Sequence, residues 1–181
     1  STIEGMRLLG TKTVYLIGGP NAISAGVEAQ LRATSQYEPG GTVTNGQGKL
    51  QVVRLGGLDR YDTNKIVNLR AAALSTNVNP VGRTSIKFGQ PSKLTALVAT
   101  GENFADAMSA GAATAGNGSG RLPIILTPSG SQTESASSQI TGLGITQAVV
   151  LRGTNAISAG VETSIQGLGA ATFRIGGANR A

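Results

Sequence analysis

The carboxylates of Glu102 and Asp106 lie four positions apart, at a predicted junction between a strand and a helix. Two carboxylates that are close in space can divide the work of general acid and general base between them. This spacing does not fix their separation, however, and Asp106 also suits the first turn of a helix, where the helix dipole favours negative charge. We therefore prefer the helix-start interpretation to a catalytic one.

The residue types that the chain lacks exclude most other chemistry. The 181 residues contain no Cys and no His. This excludes zinc, haem and iron–sulfur centres of the usual kinds, thiol chemistry and a Ser-His-Asp triad. The serine-rich segment 127–138 has hydroxyl groups but no histidine to activate them, so we interpret it as a loop with a helix cap. The sequence predicts a protein that is not an enzyme and has no cofactor and no metal site.

Two glycine turns, at 17–21 and 151–155, each follow a predicted strand and precede a predicted helix. Such turns bind anions in many α/β proteins. They match neither the G-x-G-x-x-G fingerprint nor a phosphate-binding loop with a Lys-Ser/Thr pair. The glycines also fit a purely structural role, in which they allow a tight turn and close packing of helix against sheet.

The charge is positive but thinly spread. There are 15 Lys and Arg against 9 Asp and Glu, a net charge of +6, and the sequence pI is about 10.2. The basic residues occur singly, and aromatic residues make up 3% of the chain, which disfavours a nucleic-acid partner. No apolar run approaches the length of a membrane span. The charge suits either an extended polyanion as partner or simple solubility.

An internal repeat organises the chain. The octapeptide NAISAGVE occurs at 21–28 and again at 155–162, an offset of 134. A second echo, RLGGLDR at 54–60 and RIGGANR at 174–180, has an offset of 120. The two offsets differ by 14, so the first copy carries an inserted loop of that length within residues 34–51. We predict that residues 1–53 are the back half of a repeat, that 54–173 are a complete repeat, and that 174–181 begin a further, truncated one.

Apolar runs and helical spacing alternate along this repeat. Strands are predicted at 13–17, 94–100, 122–126 and 148–151, and helices at 24–33, 63–74, 105–115 and 158–166. Asp62 is the expected N-cap of the second helix, and Ser24 and Ser158 cap the first and last. Strands that alternate with helices indicate an α/β fold, with mainly parallel sheets flanked by helices.

The motifs strongly resemble the type 2 cell-wall-binding repeat, which occurs in tandem on bacterial surface proteins. The resemblance covers essentially the whole chain in the family's order. Its motifs are RLGGLDRYDT at 54–63, GENFADAM at 101–108, PIIL at 123–126, LRGTNAIS at 151–158 and RIGGANR at 174–180. It implies Rossmann-like repeats in a secreted protein, held non-covalently on an anionic polysaccharide of the bacterial cell wall or surface.

The resemblance also implies which residues are involved. The family's apolar segment tied to polymer retention corresponds to Pro123, Ile124, Ile125 and Leu126, which we interpret as scaffold or subunit contact. Arginine pairs with phosphate or carboxylate through two parallel hydrogen bonds. The expected polymer-binding residues are Arg54, Arg60, Arg121, Arg152, Arg174 and Arg180.

Two alternatives remain open at this stage. Arg54 and Arg174 equally suit internal pairing, with Asp59, Asp62 or backbone carbonyls. At the level of function, wall binding is the leading hypothesis, and the alternative is a self-assembling surface-layer or filament subunit whose repeat halves dock between molecules. In either case we expect the half repeat to be covered by other repeats or by copies of the same chain, as a homo-oligomer or a multi-repeat assembly.

Overall fold

Short apolar runs form parallel strands, and the segments between them form helices. The computed structural model describes residues 2–38, 48–74, 94–103, 105, 107–108, 110–111 and 122–176. The chain divides into two compact units, Ser1–Asp59 and Arg60–Ala181. Within each of the two sheets, neighbouring strands pair in parallel. This confirms the predicted α/β class with mainly parallel sheets.

The first unit has a two-stranded sheet covered by helices on one face. Its elements are α1 (Thr2–Leu8), β1 (Thr13–Ile17), α2 (Ala25–Ala33) and β2 (Gln51–Leu55). Val14 lies opposite Val52 in the parallel pairing of β1 with β2. Alternate residues of a strand share a face, so Val14, Leu16 and Val52 point the same way and pack against Leu31 of α2 and Met6 of α1.

The second unit has a four-stranded sheet in the order β4-β3-β5-β6. Its elements are α3 (Arg60–Ala73), β3 (Thr95–Thr100), β4 (Ile124–Thr127), α4 (Glu134–Gly142), β5 (Gln147–Leu151), α5 (Ala159–Gly167) and β6 (Ala171–Ile175). One face of the sheet, with Val98 and Val150, packs against Ile140 of α4 and Val161 of α5. The described residues between 105 and 111 are helical, and Ala110 among them packs on the opposite face.

The order α1-β1-α2-β2 in the first unit is repeated as α4-β5-α5-β6 in the second. The offset of 134 matches Gly10 to Gly144, and these residues follow α1 and α4 with φ angles of 61° and 63°. Ser24 and Ser158 cap α2 and α5, each accepting a hydrogen bond from the valine amide three residues on, at 3.3 Å. The two copies of the octapeptide therefore form the same strand–turn–helix, as predicted.

Two predicted boundaries were wrong. Helix α3 begins at Arg60 rather than at 63, and Asp62 is not its N-cap but lies in its first turn, paired with Lys65 at 2.6 Å. The strand predicted at 122–126 spans Ile124–Thr127. Pro123 precedes it because proline has no N–H to donate to a neighbouring strand.

The segment 127–138, interpreted from the sequence as a loop with a helix cap, contains that cap and the first residues of a helix. Helix α4 begins at Glu134, because the hydroxyl of Thr133 accepts the amide of Ala136 at 3.2 Å and so caps its first turn. The sequence analysis also missed α1, β2 and β6. Both strands carry an arginine near their ends, Arg54 and Arg174, which interrupts the apolar run from which buried strands are predicted.

Candidate functional site

The carboxyl ends of parallel strands meet at one edge of a sheet, the edge where α/β proteins bind their ligands. In the second unit this edge carries Glu102 after β3, Ser129 after β4, Arg152 after β5 and Gly176 after β6. Arg60 joins them from the start of α3, where its Nη1 donates to the carbonyl of Gly101 at 2.6 Å. The fold thus brings Arg60 and Arg152, two of the predicted polymer-binding residues, to the same edge.

Glu102 holds two of these loops together. Its carboxylate accepts the hydroxyl of Ser129 at 2.7 Å and the amide of the same residue at 3.1 Å. These hydrogen bonds, the hydroxyl first, and the charge of Arg60 lower the pKa of Glu102. The carboxylate therefore stays ionised and acts as a loop clamp. Asp106, its partner in the acid–base hypothesis, lies outside the described residues.

Arg174 forms a latch inside the second unit. Its Nε and Nη2 donate to one oxygen of Glu162 at 3.1 and 2.7 Å, and its Nη1 donates to the carbonyl of Arg152 at 2.9 Å. The two side chains are 20% and 21% exposed. The guanidinium is thus largely turned inward, and it ties β6 to both α5 and the turn after β5.

Arg54 forms the corresponding latch in the first unit. Its Nε donates to Glu28 at 2.8 Å and its Nη1 to the carbonyl of Gly18 at 2.8 Å. Glu28 also accepts Nη2 of Arg32 at 2.6 Å. The internal-pairing alternative for Arg54 and Arg174 is therefore what the structure has, through backbone carbonyls as expected, but with glutamates in place of the expected aspartates.

The latched glutamates have lowered pKa values. For Glu162, burial raises the pKa, but the hydrogen bonds from Arg174 and Thr172 and the charge of Arg174 outweigh it and bring the pKa below its usual value. For Glu28, the hydrogen bonds from Arg32 and then Arg54 lower the pKa. Both carboxylates are consequently ionised at neutral pH.

The glycines beside each latch allow the backbone segments to approach closely. A Cβ on Gly56 would lie 2.7 Å from the backbone of Gly18 and Gly19. A Cβ on Gly176 would lie 2.7 Å from the carbonyl carbon of Arg152. The glycine turns at 17–21 and 151–155, for which the sequence analysis considered both anion binding and a structural role, thus take part in close backbone packing.

Arg152 occupies the position of Gly18 in the second copy. Its φ is +72°, in the left-handed region where Gly18 of the first copy has +119°. Side chains are disfavoured there, so an arginine at this turn is maintained at an energetic cost. Arg152 is half-buried and Arg60 is exposed, whereas Arg121 and Arg180 lie outside the described residues.

The apolar family segment is part of the sheet. Ile125 is fully buried, and Ile124 and Leu126 are half-buried. β4 lies at the edge of the sheet, where Asn64 of α3 donates to the carbonyl of Ile124 at 2.9 Å and accepts the amide of Leu126 at 3.0 Å. Asn68 donates to the same carbonyl at 2.9 Å. Residues 124–126 of the segment therefore lie in the sheet, and the side chains of Asn64 and Asn68 cover its outer edge.

The sequence analysis missed the acidic half of both latches. Glu28 and Glu162 are the last residues of the two identical octapeptides, and Arg54 and Arg174 are the first residues of the two copies of the second echo. A pair of opposite charges retained in both copies was the available signal.

None of the helices in the described part of the chain is long and apolar enough to cross a membrane.

The fold and its paired latches define a repeat protein built from α/β units. The family model for cell wall binding domain 2 (CWB2) matches residues 54–162, more than half of the chain. The protein therefore belongs to the cell wall binding domain 2 family. A comparison with curated proteins gave no match.

Solved structures share the fold. Cwp8 from Clostridium difficile aligns with a TM-score of 0.62 at 24% identity, over 94% of this chain and 23% of that one. Cwp6 from the same organism aligns with a TM-score of 0.68 at 20% identity, over 98% of this chain and 24% of that one. The chain thus spans about a quarter of the length of either protein.

Proposed function

We propose that this chain holds a secreted protein non-covalently on an anionic polysaccharide of the bacterial cell wall. Its membership of a cell-wall-binding family carries the proposal. The module is non-catalytic, since Glu102, the best candidate acid, is a loop clamp fixed by two hydrogen bonds from Ser129. Its repeats run over 1–53, with the insertion at 34–51, over 54–173, and from 174 onward.

The distribution of charge supports an anionic partner for the second unit. Residues 60–181 contain ten Lys and Arg against five Asp and Glu, a net charge of +5, whereas residues 1–59 contain five against four, a net charge of +1. A positive potential of this kind attracts polyanions and weakens with added salt. Polymer binding is accordingly assigned to the second unit.

The arginines divide into two groups by their position in the fold. Arg54 and Arg174 already bind carboxylates and carbonyls within their own units. The role of Arg174 in retention is therefore to hold the binding edge of the second unit in shape, and Arg54 has the corresponding structural role in the first unit. Arg60 and Arg152 stand at the carboxyl edge of the sheet and are the residues that contact the polymer. Arg121 and Arg180 add further positive charge to the same unit of the chain.

Each such contact is weak on its own, on the order of 1 kcal/mol or less for an exposed ion pair. A long polymer that reaches several contacts gains through effective concentration. Retention therefore depends on the polymer as a whole and not on one strong pocket.

Sedimentation with purified cell walls tests the proposal. The chain should sediment with intact walls and remain in the supernatant after the walls have been stripped of their acid-extractable polymers. Equal sedimentation with stripped and intact walls would show that the ligand is not an anionic polymer.

A further inference from the structure

The two identical octapeptides have the same fold but different surroundings. Val27 is 43% exposed, whereas its counterpart Val161 is fully buried. Ile23 is half-buried and its counterpart Ile157 is fully buried. Because sequence and local backbone are the same, the difference comes from what lies against each copy.

In the second unit, β3 and the loop after β4 cover this surface. Ile157 and Val161 pack in one apolar cluster with Ala96 and Val98 of β3. β3 also pairs with β5 in parallel, Thr95 lying opposite Gln147.

The loop after β4 then reaches the cap of α5. The carbonyl of Ser129 accepts the amide of Ser158 at 2.8 Å, and the carbonyl of Gly130 accepts its hydroxyl at 3.4 Å. The front half of the repeat, residues 60–131, thus covers the back half through a strand and a loop.

The first unit consists of a back half. Within the described residues its sheet has two strands, so β1 pairs with β2 and with no strand on its other side. Ser24, the counterpart of Ser158, is exposed along with Val27. We call Ile23, Ser24, Val27 and the outer edge of β1 the open face.

We propose that the open face is a docking site for the front half of a repeat, of the kind that residues 60–131 provide in the second unit. The occupant places an apolar strand with the chemistry of β3 (Thr95–Thr100) parallel to β1 and over Val27. Its next loop offers two backbone carbonyls to Ser24. An intact second copy of this chain does not fit, because its β3 already pairs with its own β5.

The absence of cysteine from the sequence makes a clean labelling experiment possible. The variants Val27→Cys and Val161→Cys each place one thiol at equivalent positions. In the chain as it stands, the first thiol should react with a maleimide on the order of 100-fold faster than the second, because buried groups react only through opening of the structure.

The chain is then extended by a second copy of residues 60–134 placed before Ser1. This junction keeps the repeat in register, because Ser1 corresponds to residue 135 at the offset of 134. In the extended chain, the reaction of the Val27→Cys thiol should slow to the rate of the Val161→Cys thiol. A second measurement covers the case in which Val161→Cys loosens the fold. In the extended chain without either valine substitution, the amide exchange rate of Ser24 should fall to that of Ser158.

Two results would overturn the proposal. One is a Val27→Cys thiol that reacts equally fast in the extended and the original chain. The other is a thiol in the original chain whose protection grows with concentration alongside a dimer mass, which would make a second copy the occupant. No wall polymer enters this experiment, so its outcome is separate from that of the wall-binding proposal.

Discussion

Arg54 and Arg174 stand at equivalent positions, 120 residues apart, and each binds one glutamate and one backbone carbonyl of its own unit. Each latch joins the last strand of its unit to the helix before that strand and to the turn before that helix. The close approach of Gly56 and Gly176 to the same turns completes the arrangement. The glycine of each echo thus packs closely within its own unit, and Gly176 lies at the sheet edge of the second unit that is proposed to bind polymer.

Arg174→Gln should destabilise the protein more than Arg54→Gln. The first substitution leaves Glu162 without its guanidinium, at a cost of about 1–3 kcal/mol for a partly buried group with a charged hydrogen bond. Glu28 keeps Arg32, so the second substitution costs less. Thermal melting of both variants measures the difference, and an equal or larger loss for Arg54→Gln would contradict the prediction.

Gly56→Ala and Gly176→Ala should each lower the melting temperature. The added Cβ would meet backbone atoms at 2.7 Å, which cannot move aside as a flexible side chain does. The cost of such overpacking is about 1–3 kcal/mol.

Gly26→Ala and Gly160→Ala are the matched controls. Both glycines lie in helices where a Cβ would make ordinary contacts of 3.7 and 3.6 Å with a serine hydroxyl. Alanine there should raise stability by about 0.5–1 kcal/mol. If Gly56→Ala and Gly176→Ala melt at the same temperatures as these controls, the close approach of the backbone segments has no energetic role.

Asn64→Ala should destabilise the edge of the four-stranded sheet. The substitution leaves the amide of Leu126 without its acceptor, at about 1–3 kcal/mol for the unpaired group, whereas the carbonyl of Ile124 keeps the hydrogen bond from Asn68. Amide exchange at Leu126 should accelerate, while exposed Asn155→Ala serves as the control. Unchanged exchange at Leu126 would mean that Asn64 does not protect this strand.

Stability should fall as the pH is lowered into the acid range. The pKa values of Glu28, Glu102 and Glu162 are below their usual range in the folded protein. Their contribution to stability is complete above the unfolded carboxyl pKa of about 4.3 and is lost as the pH falls through the lower folded values. Melting temperatures at pH 7, 5 and 3 check this, and Glu162→Gln should flatten the decline; a parallel decline in that variant would contradict it.

The sequence predicted those elements of the fold that depend on local pattern. The octapeptide with its serine cap and the apolar runs around Val98 and Val150 are strong local signals, and both formed as expected. β2 and β6 were missed because the arginine that each carries breaks the run, although that arginine serves the latch.

The candidate site was harder to predict because it depends on which residues come together. The glutamate partners of Arg54 and Arg174 are 26 and 12 residues away in the chain, and only the fold brings them together. Likewise, Asn64 and Asn68 lie close to β4 through α3, which neither periodicity nor spacing indicates. The position of Arg60 and Arg152 at the carboxyl edge of the four-stranded sheet likewise depends on the fold and not on the local sequence.

Retention on purified cell walls across a range of salt concentrations tests the central claim most directly. The comparison uses the unaltered chain and the double variant Arg60→Gln/Arg152→Gly. The glycine copies the equivalent position of the first unit, Gly18, so the turn keeps its left-handed backbone and the variant should melt like the parent. We predict that retention of the parent falls steeply with salt, and that the double variant binds more weakly and with a shallower salt dependence. Identical salt curves for two equally stable proteins would contradict polymer binding at this edge.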